Sequence, residues 1–328
     1  MMKTKALNTI FVVLLCLFIF TAAYAQTDEA VLLTSVKTDS PVSRMVWNDT
    51  GTVLTLVSTN AVENIVVSAP SESESFALGE KSYTLTTLSE TGVVAALSDD
   101  RETIYLYDPS SYGKEIQTIT PGFTILSVSV SKDGSQVLAD SADQIRTVIY
   151  DASDGSVVHD LTGFETAAPV YDSSLSADGK AVLWHARGTF ALQNIADGSF
   201  GKTVSLWDFA SSFELSPDNS LLAVGIINDD YENGAVLFFD PLSGAEKGRA
   251  ILGKTSPYEL SFSGDGSVLW AADADTVYQI DPKSFEAESQ MTLVEAGSEA
   301  RISRIASAPD GNSAAVLLNN GDLLLLKK

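Results

Sequence analysis

The residues with which this chain could do chemistry are few. Two histidines, His159 and His185, and one cysteine, Cys16, are its whole supply of imidazole and thiol. A Ser-His-Asp relay needs a histidine held between an acid and a hydroxyl, and a zinc site needs three or four converging ligands. The two histidines fall on separate strand-like segments, and neither arrangement can be built from one such segment and its neighbours. No Gly-x-Ser-x-Gly, His-Glu-x-x-His or glycine-rich phosphate loop occurs. Both histidines therefore read as structural, and no catalytic residue is assigned.

Oxygen donors are plentiful by contrast. Asp229, Asp230, Glu232 and Asn233 lie close together, and Asp273 with Asp275 makes a second pair. Neither has the Asp-x-Asp-x-Asp-Gly spacing of a calcium loop, so both read as solvated hairpin tips and no metal ligand is assigned. The candidate binding residues are Trp184 and Trp270. Each follows Val-Leu in a strand-like run, where Thr55, Ala139 and Ala223 stand elsewhere. A large ring in place of a small residue either fills a gap in the core or offers a stacking surface to a sugar, peptide or planar ligand.

Composition narrows the function classes. Acidic residues number 43 against 20 basic, for a formal charge of −23. Such a surface repels phosphate backbones and anionic lipid heads, which excludes nucleic acid as a natural partner. Lys3 and Lys5 precede an apolar run over residues 10–20, and Ala23-Tyr24-Ala25 has the small-x-small form that a signal peptidase accepts. Cleavage is expected after Ala25, giving a periplasmic or secreted protein. The apolar run is shorter than the roughly 20 residues of a membrane span. The chain after residue 25 contains no cysteine, so it folds without disulfides, and no membrane span is expected in it.

The elements that must position any site repeat along the chain. Residues 124–163 hold four short β-rich runs joined by Lys132-Asp133-Gly134, Ser141-Ala142-Asp143 and Ser153-Asp154-Gly155. Leu126, Val128 and Val130 alternate with Ser127, Ser129 and Ser131, the period of a strand with two different faces. The first turn recurs at Asn48, Ser89, Ser131, Ser176, Ser216, Ser263 and Ala308, at spacings of 41, 42, 45, 40, 47 and 45 residues. Three residues after each of these stands Gly, or Asn219 in one unit, the residue types that best tolerate left-handed backbone. A second turn follows the third strand at Asp108, Asp151, Asn194, Asp240 and Asp281. In this frame His185 lies on a second strand and His159 on an outer one.

This pattern of period, strand count and S-x-D-G turn resembles the WD40 and YVTN class of β-propeller repeats over essentially all of residues 26–328. The resemblance implies an all-β fold: seven four-stranded antiparallel blades round a central channel, in one domain. No Gly-His dipeptide opens a unit, and Trp207-Asp208 is misplaced for that class. The last unit supplies three strands, over residues 301–306, 314–318 and 322–326, and a spare strand stands at residues 29–36. The expectation is that the spare strand completes the seventh blade. Quinoprotein propellers carry an Asp-x-x-x-Gly-x-x-x-Trp turn. Here Asp151 and Gly155 are followed by His159, so the resemblance implies no quinone, and no cofactor is expected.

The resemblance implies no single function. The reading of the residues is an exported binding or assembly module with a protein partner or ligand, and not an enzyme. The alternative is a lactonase-like propeller enzyme with a carboxylate-based site in the central channel.

Overall fold

The computed structural model describes residues 30–36, 41–79, 81–111, 113–162, 172–186, 188–206, 210–227, 233–253, 255–295 and 297–327. These form seven four-stranded antiparallel sheets in a ring, a seven-bladed β-propeller. The first strands of blades 1 to 7 are Val42–Trp47, Tyr83–Leu88, Ile125–Val130, Asp172–Leu175, Ala210–Leu215, Glu259–Phe262 and Ile302–Ser307. Each lies at one edge of its sheet, and neighbouring first strands touch around the axis from blade 5 through blades 7 and 1 to blade 4.

The ring is held by what lies between the blades. In blade 5, Leu222, Val224 and Ile226 of the second strand pack against blade 4, while the intervening Ala223 packs against blade 6. Successive side chains of a strand point to opposite faces, so every blade has two apolar faces and buries each on a neighbour. Seven such clusters exist, one for each junction, including the junction of blade 7 with blade 1.

Closure is made by the spare strand. Ala30–Ser35 pairs antiparallel with Asp322–Lys327, with Ala30 opposite Leu326 and Ser35 opposite Asp322. It becomes the outer strand of blade 7, beyond Asp322–Lys327, Ser313–Leu318 and Ile302–Ser307. The Val36 amide donates to the Gly321 carbonyl (2.7 Å), and Ser35 Oγ donates to Asp322 Oδ1 (2.8 Å). The outer edge of the blade is thereby paired with a strand from the opposite end of the chain.

The recurring turns are self-contained hydrogen-bonded units. Gly51, Gly92, Gly134, Gly179, Asn219, Gly266 and Gly311 all have positive φ, as their residue types foretell. In blade 6, Ser263 Oγ donates to Asp265 Oδ1 (2.6 Å) and accepts the Val268 amide (3.1 Å), while Asp265 Oδ1 accepts the Ser267 amide (2.9 Å). The same knot ties Ser131 to Asp133, Ser176 to Asp178 and Ser216 to Asp218. The second family of turns works alike: the Oδ1 of Asp108, Asp151, Asn194, Asp240 and Asp281 each accepts an amide two residues on. In blade 6 that turn sets Phe285 at φ 60, and its ring covers Gly248 of blade 5, where any Cβ would overlap it.

Two measurements check this account. Deletion of residues 26–37 strips blade 7 of its outer strand, and the expected outcome is loss of a single cooperative unfolding transition; an unchanged transition would refute closure by this strand. The turn carboxylates predict acid sensitivity. The Ser216 and Ser263 hydroxyls hold Asp218 and Asp265, and the Ser135 amide holds Asp133, below the ordinary carboxylate value. Because the folded value is the lower one, their stabilisation is complete above about pH 4 and fades as pH falls through it. Thermal midpoints should drop below about pH 4, and Ser263→Ala should cost about 1–2 kcal/mol at neutral pH. A midpoint that held level down to about pH 3 would contradict the turn account.

Candidate functional site

The first strands that line the axis are built mainly of apolar, Ser and Thr residues; Asp172 opens that of blade 4, and four further charged residues interrupt the others. Arg44, Glu259 and Arg304 each stand four residues before the turn of their unit, and Glu214 stands two before its own. Their home blades are 1, 6, 7 and 5. Blades 5 and 1 are not adjacent, yet Arg44 acts electrostatically on Glu214, as do Glu259 of blade 6 and Glu90 of blade 2. Only near the axis can groups from four such blades act on one carboxyl, so Glu214 lies on the inner rim of the ring.

The four groups play different parts. Arg304 Nη1 donates to Glu259 Oε1 (3.1 Å) and to its neighbour Ser303 O (2.6 Å), while Nε donates to Ser43 O (3.0 Å). Through Nη1 and Nε this guanidinium joins blades 6, 7 and 1. Burial raises the Glu259 carboxyl pKa despite the opposing pull of Arg304 and Arg44. Glu214 is half-buried and has no hydrogen-bond partner among the described residues. Burial lifts its pKa to about 7; Arg44 opposes the rise, and Glu259 and Glu90 add to it. Arg44 is exposed, and its side chain forms neither an ion pair nor a hydrogen bond among the described residues. Chemically the cluster offers one free cation and one carboxyl that titrates near neutrality, the pattern found where a ligand is held or a proton moved.

A bulge in the first strands shapes the wall. The pairing of first and second strands slips at Val42/Arg44, Tyr83/Leu85, Ile125/Val128, Ala210/Ser212 and Ile302/Arg304. An inserted residue re-aims the side chains after it. In blades 1, 5 and 7 the bulge serine, Ser43, Ser211 or Ser303, donates to a second-strand carbonyl, that of Val57, Gly225 or Leu317.

Beside the channel, the turns of blades 1 to 4 enclose a cleft of about 450 Å³ lined by Asp49, Glu90, Lys132, Asp133, Gln136 and Asp178 among others. Lys132 Nζ pairs with Glu90 there at 2.9 Å. Glu90 also acts on Glu214, so this cleft lies toward the same end of the inner strands as that carboxyl.

The two tryptophans lie elsewhere. Trp184 is wholly buried against blade 3 with Leu138 and Ile149, and Trp270 is equally buried against blade 7 with Ile305 and Val316. Rings so enclosed have no face for a ligand, and both pack neighbouring blades together. They are also one position out of step. Trp184 lies opposite Ser173, three before its turn, and Trp270 opposite Ser261, two before its own, so the rings face in opposite directions round the ring.

The histidines lie on the strands the repeat assigns, His159 in Val157–Thr162 and His185 in Ala181–Ala186. His185 stacks on Phe213 at 4.6 Å, and burial lowers its pKa to about 4, against the pull of Asp140 in the adjacent blade. An acid therefore does stand near this histidine. Asp140 is itself saturated as the acceptor of a buried knot, bonded by Thr147, by Ser127 at 2.5 Å and by Ser173 at 2.6 Å. Of the acidic loops, residues 228–232 lie outside the described residues. Asp273 is buried rather than at a solvated tip: Oδ1 accepts the Asp275 and Thr276 amides and Oδ2 accepts Thr255 Oγ1 (2.6 Å). Among the described residues no group of three or more His, Cys, Asp or Glu could hold a metal ion, and no helix is long and apolar enough to cross a membrane.

Sequence reasoning missed the channel charges, although one signal was available. Stacking the units on their turns puts Arg44, Asp172, Glu259 and Arg304 in a single column. No protein-family model matches the chain, and no curated protein matches it.

The tryptophans supply a test of packing. Trp184 Nε1 donates to Gln193 Oε1 (3.0 Å), whereas Trp270 Nε1 has no partner among the described residues. Both Trp→Phe changes leave a cavity of similar size, but only Trp184→Phe also orphans a buried acceptor. Chemical denaturation should show Trp184→Phe to be the costlier by about 1 kcal/mol. Equal losses would show that this hydrogen bond contributes nothing.

Proposed function

We propose that the protein is an exported binding module that holds its ligand or partner at the mouth of the propeller channel, by way of Arg44 and Glu214. The observation that supports this most is that two charged groups of the inner strands make no bonds that serve the fold. Arg304 and Glu259 are engaged in joining blades, but Arg44 and Glu214 have no such bonds among the described residues. Leaving a carboxyl desolvated without a partner costs stability, and a fold has no use for that cost unless something else completes the pairing. Export rests on the N-terminal segment, residues 1–25, which lie outside the described residues; a periplasmic or secreted location agrees with the absence of cysteine after it. The acidic surface argues against nucleic acid as the partner.

The rise of Glu214 to about pH 7 favours a second reading, in which that carboxyl is the acid–base group of an enzyme working in the channel. One experiment addresses both. Immobilised protein is exposed to a periplasmic extract, and bound small molecules and proteins are identified by mass spectrometry, in parallel with Arg44→Gln and Glu214→Gln. The binding reading expects capture that falls about tenfold in both variants, with the captured compound eluted chemically intact. Capture that both variants retain would remove the channel from the account. A compound released altered by the native protein and unaltered by Glu214→Gln would move the reading to an enzyme.

A further inference from the structure

We propose that the ring has one built-in opening point, the inner end of the seam between blades 4 and 5, and that it parts there while the closing strand of blade 7 stays paired.

The seams differ most at the axis. The first strand of blade 4, Asp172–Leu175, lies against that of blade 3 but not against that of blade 5, Ala210–Leu215. Strand length is not the cause, because Glu259–Phe262 of blade 6 is equally short and touches the first strands on both sides. Side-chain size is. The third residue before each turn faces the preceding blade, and it is Ser, Thr, Met or an aliphatic residue in six blades, such as Leu260 in blade 6. In blade 5 it is Phe213. What this ring meets in blade 4 is also large: His185 stacks on it at 4.6 Å, and Phe190 meets it edge-on at 6.0 Å. One seam further on, the residue that matches His185 is Gly225, where a Cβ would overlap Pro257 O of blade 6. A missing side chain draws the strands of blades 5 and 6 together, and stacked rings hold those of blades 4 and 5 apart.

Hydrogen bonds divide the same way. Ser211 and Ser212 of blade 5 both donate to Pro257 O, at 2.7 and 2.8 Å. Ser173 of blade 4 donates to Asp140 of blade 3 (2.6 Å), and Tyr258 Oη of blade 6 donates to Ile302 O of blade 7 (2.6 Å). Among the described residues no hydrogen bond runs between the first strands of blades 4 and 5. That seam is pinned at its turn, by Asn219 Nδ2 on Asp178 Oδ1 (3.0 Å), and at its outer rim, by the Lys202 amide on Leu242 O (2.8 Å). Both pins leave the axis end free. Solvent reaches it accordingly: Ala210–Leu215 alone among the seven first strands has no buried residue.

Blade 7 is fastened more firmly. Its outer edge carries the ladder of Ala30–Ser35, and its inner strand is tied to blade 1 by Arg304 Nε on Ser43 O (3.0 Å) and by Trp47 Nε1 on Ala306 O (2.9 Å). Local opening takes the least protected contacts first, and these lie between blades 4 and 5. Parting there widens the channel wall without unpairing the strand that closes the ring.

Buried thiols test this. Cys16 is the chain's one cysteine, so Cys16→Ser gives a thiol-free background. Val224 at the seam of blades 4 and 5 and Val316 in the closing blade hold the same place after their turns, as does Ala139 between blades 2 and 3, and all three are wholly buried. A thiol at any of them reacts only when its seam parts. Val224→Cys, Val316→Cys and Ala139→Cys, each in that background, are exposed to iodoacetamide in low urea and followed by mass spectrometry, with melting midpoints to show that each is folded. The expected result is that Val224→Cys is modified about tenfold or more faster than both others, at a rate that rises little with urea, the mark of an opening that exposes little surface. Val316→Cys reacting as fast or faster would show that the ring yields at its closing blade and would overturn the proposal. So would Ala139→Cys doing so, or a urea dependence at Val224→Cys as steep as that of global unfolding.

Discussion

The whole molecule depends on the burial of one blade's face against the next. A four-stranded sheet of this kind is apolar on both sides, and no blade can hide both sides by itself. Each fully buried Leu, Ile, Val or Phe contributes about 1.5–3 kcal/mol, and every junction in the ring gathers several of them. Such a stack has no natural end: an open row of blades would leave two terminal faces wet. Bending the row into a ring removes both ends, and pairing Ala30–Ser35 with Asp322–Lys327 makes the ring permanent. Hydrophobic burial demands closure here, and backbone hydrogen bonds carry it out.

Closure has a consequence for function. In a ring of like blades, the same repeat position of each unit arrives at the same height on the axis. Residues far apart in the chain become neighbours there, without needing any loop to bring them together. The repeating turns hold that register. Each ties a serine hydroxyl, an aspartate and a left-handed residue into a unit that sets where the second strand begins. Blade 2 shows how sensitive register is. Its Ser89 amide bonds the carbonyl of Val93, one residue sooner than the Ser131 to Gln136 bond of blade 3, so the facing of its second strand is shifted by one position.

What the sequence made legible follows from this division between local and global causes. The turns, the strand order and the closing strand could be read because each rests on chemistry within a few residues: an Asp-Gly pair, a two-residue alternation, a spare β run at one end. Trp184 and Trp270 could be placed on second strands but not correctly aligned, because a shared Val-Leu before each disguised a one-residue difference in turn-to-strand distance. That difference turns the two rings to opposite blade faces. The acid beside His185 is not legible in sequence because Asp140 is a full unit away, although the two blades stand side by side. The channel charges were legible only as a column, and a column exists only once every unit has been stacked on its turn.

The axis is also where the protein's acidity bears hardest. With a formal charge of −23, the field of the whole surface opposes a further buried carboxylate. The fold meets this at Glu259 by giving it Arg304, and it uses that same arginine to fasten the neighbouring blade 1 through Ser43 O. At Glu214 it makes no such provision. Arg44 acts on it without bonding to it, and the carboxyl rises to about 7 rather than being neutralised by a bonded partner. A hydrophobic residue at this position would have spared the fold that cost, as Val46 and Ala306 do at the matching position of blades 1 and 7. Six units carry apolar or hydroxyl side chains at this repeat position and one carries an acid whose pKa burial lifts to about 7, a cost that packing of the blades does not call for.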